Sequence, residues 1–351
     1  MTSSPPVLVV RADASSVIGT GHIMRCIALG QAWRKKGGKV VFLTANNFSS
    51  LLSRIRQEGF VHVPLRLQAG GPADALKTVA VAERYKAWWV VVDGYHFDSE
   101  YRRSLQNQGF RVLWVDDLGS SDYCYSDIIV NQNLHARPGL YPHRKGKTQL
   151  CLGPRFALLR EEFWCSRKRC ISKKKHVRLF IFGGGTDRYN MTKIVLNAFK
   201  NFPSPAMEID VILGGGYRSV HSIYGMVPMA GPHRVHVHHN PTNMAELMSL
   251  ANMAIVAAGS VSWEIARSGL PALLVVQAGN QTEIARSLHR VGASLNLGHV
   301  RKLSGLKIRR KFLLLLKSGA KRRKMVSCAR RLVDGRGTSR VVSVMFAMGK
   351  A

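Results

Sequence analysis

A histidine and an arginine three residues apart, His22 and Arg25, stand where the chain enters its first helical pattern. Just before them come Asp13, Ser15, Gly19, Thr20 and Gly21, and before those an apolar run at residues 7–10. Strand, glycine turn and helix in that order can hold an anion. Glycine lets the backbone approach closely, and the helix start offers unpaired N–H groups. An imidazole with an unperturbed pKa near ~6.5 can also take a proton from water or a hydroxyl at neutral pH. The loop lacks the third glycine of the dinucleotide fingerprint. A capping histidine on an ordinary turn fits the same spacing, and the residues alone leave both readings open.

Other groups with chemical potential fall at similar places. Asp93, Tyr95 and His96 follow an apolar run at 88–92, and Asp116-Asp117 follow another at 112–115. Helix capping suffices for Asp98 or Asp117. In the second half, residues 177–182 run into Gly183, Gly184, Gly185, Thr186 and Asp187, with Asn190 at the next helix start. Such a loop suits a pyrophosphate, although glycine-rich turns are common. Ala258-Gly259-Ser260 leads into a helix carrying Glu264 in its first turn. Glu264 can accept two hydrogen bonds from a ribose diol, or serve only the helix dipole. Asn280 and Gln281 close the loop after the run at 270–276. His236, His238 and His239 alternate along a strand pattern, but no carboxylate follows nearby, so they read as edge residues without a metal.

The elements that must position these groups alternate. Apolar runs at 7–10, 40–43, 61–63, 88–92, 112–115 and 128–130 are separated by helical patterns at 23–36, 50–58, 73–85 and 99–108. Continuous Val/Ile/Leu strands, each followed by a helix, imply a parallel sheet covered on both faces. The alternation restarts at 177, and 351 residues exceed one ordinary core. The expected fold is therefore α/β, with two Rossmann-like doubly wound domains facing across a cleft. The first spans residues 1–165, a basic linker 166–176, and the second 177–351. Ligands of such sheets bind beyond the carboxyl ends of the strands.

Composition narrows the partners. No apolar run is long enough to span a bilayer, and the N-terminal residues show no signal-like pattern, so a cytoplasmic protein is expected. Six cysteines, at 26, 124, 151, 165, 170 and 328, lack a paired spacing and read as reduced thiols. The formal charge of +32 concentrates at 167–178 and at 301–336, the latter with 14 basic residues against Asp334 alone. That excess attracts polyanions. Neither cluster interleaves aromatics or carries a nucleic-acid motif, which favours a solvated basic surface over a nucleic-acid partner.

The stretch from Arg11 through Asp13, Ser15, Ile18, Gly19, Gly21, His22, Met24 and Arg25 to Cys26 resembles the opening of the hydrolases that cleave UDP-2,4-diacetamido-2,4,6-trideoxy-β-L-altropyranose in pseudaminic acid synthesis. The resemblance runs from Arg11 to about residue 342. It includes the Gly183–Asp187 loop, the Ala258-Gly259-Ser260…Glu264 motif, Asn280-Gln281, and residues 153–163. It implies a GT-B-like fold, with His22 as catalytic base and Tyr95 and Asn280 positioning water or sugar. Asp13, Gly19, Gly21, Arg25, Gly184, Thr186, Asn190, Gly259, Ser260, Glu264 and Gln281 would hold the UDP-sugar. The family uses no metal and no cofactor, and the oligomeric state is left open, with a monomer favoured. A UDP-sugar glycosyltransferase would share the fold, and a basic nucleic-acid-binding protein is the rival of another class.

Overall fold

The computed structural model describes residues 5–15, 17–45, 48–165, 177–200, 202, 206–229 and 231–350. The expected linker at 166–176, with Cys170, lies outside them. The chain divides into two compact units.

The first unit holds β1 (Val7–Ala12), α1 (Gly21–Lys35), β2 (Lys39–Thr44), α2 (Ser49–Gln57), β3 (Val61–Pro64) and α3 (Pro72–Arg84). These are followed by β4 (Ala87–Asp93), α4 (Ser99–Asn107), β5 (Arg111–Val115), β6 (Ile128–Asn131) and β7 (Gln149–Leu152). All seven strands are parallel, in the order β3-β2-β1-β4-β5-β6-β7. β1 is buried along its whole length and β4 nearly so, as continuous valine runs in a doubly covered sheet should be. Arg11 in β1 is the polar exception. Its guanidinium is buried against Asp74 at 2.8 Å and Asp13 at 2.7 Å, which removes the cost of an isolated buried charge. α1 ends as its sequence implies. Gly37, at φ +83°, donates to Arg34 O, and Lys35 sits in the last turn.

The second unit repeats the scheme with β8 (Val177–Phe182), α5 (Met191–Phe199), β9 (Met207–Leu213), α6 (Val220–Tyr224), β10 (Arg234–His239), α7 (Met244–Leu250) and β11 (Met253–Ala257). Then come α8 (Val261–Ser268), β12 (Ala272–Val276), α9 (Gln281–Arg290), β13 (Leu295–His299), α10 (Gly305–Lys317) and α11 (Gly319–Leu332). Its sheet is also parallel, in the order β10-β9-β8-β11-β12-β13. Strand and helix residues such as Ile181, Val195, Val211, Ile255, Val275 and Phe312 pack into one core on its face.

Two boundaries differ from the sequence reading. Helix α12 (Gly337–Met348) belongs to the first unit and not to the second. Its Thr338 hydroxyl donates to Leu159 O at 3.0 Å and accepts from Leu159 N at 2.9 Å, while Phe346 packs on Trp33. Residues 17–21, conversely, cluster with the second unit. β10 is an edge strand as expected, but carboxylates are at hand. His238 Nε2 lies 2.9 Å from Asp210 and His236 Nε2 3.8 Å from Glu208, both on neighbouring β9. Among the described residues no cluster has the composition of a metal site, Cys26, Cys124, Cys151, Cys165 and Cys328 are free thiols, and no helix is long and apolar enough to cross a membrane.

Candidate active site

In each sheet the strand order reverses once, between β1 and β4 in the first unit and between β8 and β11 in the second. Loops leaving two strands on either side of such a point diverge and open a crevice at the carboxyl ends. The candidate residues gather at these two places.

At the first, β1 leads to His22 and Arg25 on α1, and β4 ends at Asp93. His22 Nδ1 lies 2.6 Å from Asp93 Oδ1. Arg25 bridges the carboxylates. Its Nε donates to Asp93 Oδ2 at 2.7 Å, Nη2 to Asp93 Oδ1 at 2.6 Å, and Nη1 to Asp117 Oδ1 at 2.8 Å. Tyr95 donates its hydroxyl to Asp117 Oδ2 at 2.9 Å and meets the His22 ring edge-on, with centroids 5.0 Å apart. Asn133 supports Asp117 from the other side through Nδ2, at 3.2 Å. His22, Arg25, Asp93 and Asp117 are buried, whereas Tyr95 is 44% exposed.

Charge balance keeps the two carboxylates ionised. Burial alone would raise the Asp93 pKa, but Arg25 and then His22 outweigh it, so Asp93 is held below the usual carboxylate range. Asp117 is likewise lowered against its burial, chiefly by Arg25. An ionised Asp93 is an acceptor only, so His22 Nδ1 carries the proton. In the neutral imidazole the lone pair then lies on Nε2, and the ring is oriented to act as a base. Arg25 Nη2, 3.2 Å from Nδ1, cannot accept and does not compete for that proton.

Asp13, expected among the substrate ligands, is engaged within the protein. It pairs with Arg11, accepts from Ala45 N at 2.7 Å and lies 3.1 Å from His96 Nε2. Its pKa is lowered despite burial, with His96 and Arg11 as the stabilising partners. Arg25 too is turned to Asp93 and Asp117. Asp98 caps α4 by accepting from Tyr101 N at 2.8 Å, as capping predicts, but Asp117 does not cap. Asp93, Asp117 and Asn133 are the members of this cluster that the sequence reading left out of the site. The Asp93-Gly94-Tyr95 signal after β4 was visible, whereas nothing local distinguishes Asp117 from a cap.

In the second unit, the loop after β8 is built by Asp187. Its carboxylate accepts from Met191 N at 2.8 Å and Thr192 N at 2.9 Å, capping α5. A Cβ on Gly183 would overlap that carboxylate, and Gly184 takes φ +95°, so both positions require glycine. Asn190 stands at the helix start in the left-handed region without capping, and accepts from Tyr217 OH at 3.0 Å. Gln277, after β12, ties two loops together. Its Nε2 donates to Gly183 O at 2.7 Å, and its N–H donates to Gln281 Oε1 at 2.9 Å. Ser260 begins α8 without spending its hydroxyl on a cap, and Gly259 faces the Gln281 amide. Glu264 lies in the first turn of α8, Asn280 begins α9, and Thr186 stays half-buried beside Asp187. Residues 17–21 join this group within the second unit. A Cβ on Gly185 would overlap the Thr20 side chain, and one on Gly21 would lie 3.3 Å from Ser260 Oγ. Gly19 there takes φ +77°. The expected residues thus collect as glycine-lined backbone and hydroxyl groups at the carboxyl ends of β8, β11 and β12.

Two parallel α/β sheets, each with its loops at one reversal point, have the architecture of the GT-B class, and known proteins agree. Residues 178–335 match the glycosyltransferase family 28 C-terminal domain. MurG of Acinetobacter baumannii shares the fold, with a TM-score of 0.69 and 16% identity over 98% of this chain and all of that one. An uncharacterized protein of Methanocaldococcus jannaschii is 24% identical over 77% of this chain but only 56% of its own length, so the chain spans little more than half of that relative. The UDP-2,4-diacetamido-2,4,6-trideoxy-beta-L-altropyranose hydrolase of Campylobacter jejuni is 25% identical, over 72% of this chain and 84% of that protein. The chain thus has the GT-B fold, and its likeness to these proteins is distant.

Proposed function

We propose that the chain hydrolyses a UDP-linked 2,4-diacetamido-2,4,6-trideoxy sugar, as in pseudaminic acid synthesis, by attack of water at the anomeric carbon. His22 Nε2 takes the water's proton, UDP leaves from the opposite face, and the free sugar emerges with inversion. Asp93 holds the His22 tautomer and Arg25 keeps Asp93 ionised. Tyr95 and Asn280 position water or sugar, while Gly184, Thr186, Gly259, Ser260, Glu264 and Gln281 hold UDP. The 2.6 Å contact of His22 Nδ1 with Asp93 carries this reading, because it directs the distal nitrogen away from the carboxylate, where it can serve as a base. The distant likeness to the altropyranose hydrolase supports the substrate class.

A glycosyltransferase is the second reading, favoured by the family 28 match. There His22 would deprotonate an acceptor hydroxyl. Incubation with the UDP-sugar and no acceptor separates the two. A hydrolase turns over continuously and releases UDP with free sugar, whereas UDP that appears only after an acceptor is added rejects the hydrolase.

A further inference from the structure

A second histidine of the first unit is held by a carboxylate at the same end of the sheet as His22. Asp13 follows β1 and His96 follows β4, the two strands between which the strand order reverses. His96 Nε2 lies 3.1 Å from Asp13 Oδ2, while Asp13 Oδ1 pairs with Arg11 Nη1 at 2.7 Å and accepts from Ala45 N at 2.7 Å. Burial opposes ionisation of Asp13, but His96 and Arg11 outweigh it, so the carboxylate is an acceptor only. His96 Nε2 therefore carries a proton, and in the neutral imidazole the lone pair lies on Nδ1. Nδ1 has no hydrogen-bond partner among the described residues, and the side chain is 29% exposed. The fold makes room for this ring. A Cβ on Gly94 would come 3.0 Å from His96 Cε1, and one on Gly70 3.2 Å from Cδ2. The Phe97 ring packs on it with centroids 4.0 Å apart.

Tyr95 and His96 are consecutive, with Cα atoms ~3.8 Å apart. Tyr95 reaches Asp117 after β5 and the His22 ring, and His96 reaches Asp13 after β1, so the two side chains turn to opposite neighbours of β4. With its anomeric carbon at His22 and Tyr95, a hexose can extend to His96 by the edge remote from C1. In the sugar proposed above, that edge carries the 3-hydroxyl and the 4-acetamido N–H, both hydrogen-bond donors. We infer that His96 is a specificity-determining residue of this site, whose Nδ1 accepts a hydrogen bond from the 3-hydroxyl or the 4-acetamido group while Asp13 orients the ring. This role presupposes the hydrolase reading and adds to it a contact on the far edge of the sugar.

One substitution separates this role from a structural one. His96→Gln places an amide nitrogen where Nε2 stands and keeps the bond to Asp13, but offers no acceptor at the Nδ1 position. It should raise KM for the UDP-sugar about three- to tenfold, the worth of one hydrogen bond, with kcat far closer to the parent's than in His22→Asn. Of two substrate analogues, 3-deoxy and 4-acetoxy, the one that lacks the donor used should lose the same factor with the parent and nothing further with His96→Gln. A parent-like KM in His96→Gln, or losses that add for both analogues, overturns the proposal. Titrating the free sugar into protein labelled with ¹⁵N-histidine gives a readout that needs no turnover, because the His96 ring resonances should move. Sugar binding at His96 without release of UDP in the absence of an acceptor would retire the hydrolase reading and keep this contact. Turnover with an unmoved His96 resonance would retire this contact and keep the hydrolase reading, and absence of both binding and turnover overturns both.

Discussion

His22 and Arg25 share the Asp93 carboxylate, and that sharing defines what each can do. Arg25 keeps Asp93 ionised, Asp93 holds the proton on His22 Nδ1, and the distal nitrogen is left to act on a ligand. Replacing His22 by Asn should therefore lower turnover about 10²–10⁴-fold, the range for loss of a general base. UDP affinity, measured by calorimetry on the same sample, should stay near that of the parent, because the proposed UDP groups belong to the second unit. Retained turnover would remove His22 from the chemistry. The same cluster predicts a pH dependence of stability. Asp13, Asp93 and Asp117 all have lowered pKa values in the folded protein. A lowered carboxyl contributes stability that is present above its unfolded value, near ~3.9, and is lost as pH falls through the folded value. Urea midpoints should accordingly fall on acidification below about pH 4. Asp117→Asn should start less stable and show a shallower acid slope, since one of the linked protons has been removed. An acid slope equal to the parent's would show that Asp117 is not held ionised by Arg25.

At the scale of elements, most of the fold was legible because buried parallel strands are written as unbroken apolar runs. β1, β2, β4, β5, β6, β8 and β11 fall within a residue or two of the runs that announced them. β7 (Gln-Leu-Cys-Leu) and β13 (Leu-Asn-Leu-Gly-His) were missed, because short strands broken by polar residues carry little periodicity. Local signals also placed the glycine loops, since a strand running into glycines and then a helix is a local pattern. Pairings across long separations left no such trace. Asp117 reads as a cap until Arg25, 92 residues away, reaches it. Helix α12 reads as the end of the second domain until Thr338 meets Leu159, 179 residues earlier. That contact gives a test. Thr338→Val keeps the shape of the side chain and removes the hydroxyl, and with it both hydrogen bonds to Leu159. A hydrogen bond contributes about 0.5–1.5 kcal/mol net, so the denaturant midpoint should fall correspondingly with the m-value unchanged. A midpoint equal to the parent's would mean that α12 does not depend on this bond to dock.

For the whole molecule, the division of labour proposed for the two units predicts which bond breaks. The first unit holds the oriented imidazole, and the second holds the glycine-lined groups suited to a diphosphate. A base assigned to sugar and water, with a leaving group held by separate residues, predicts cleavage between the anomeric carbon and the glycosidic oxygen. Reaction in ¹⁸O-water should then place the label on the anomeric oxygen of the released sugar and leave UDP unlabelled. Attack at phosphorus would instead yield UMP and a sugar phosphate, with the label in a phosphate. A transferase would give little product of either kind until an acceptor was present, and the water label would stay out of the glycosylated product. Mass spectrometry of the separated products reads all three results from one incubation. The anomer released first, followed by proton NMR before mutarotation, adds the stereochemistry: single displacement requires inversion. Label in the nucleotide fraction would overturn the role given to His22, because its proton abstraction would then serve a phosphorus centre. Label in the sugar with net retention would keep the bond assignment but call for a covalent intermediate, and with it a nucleophile other than water at the first step.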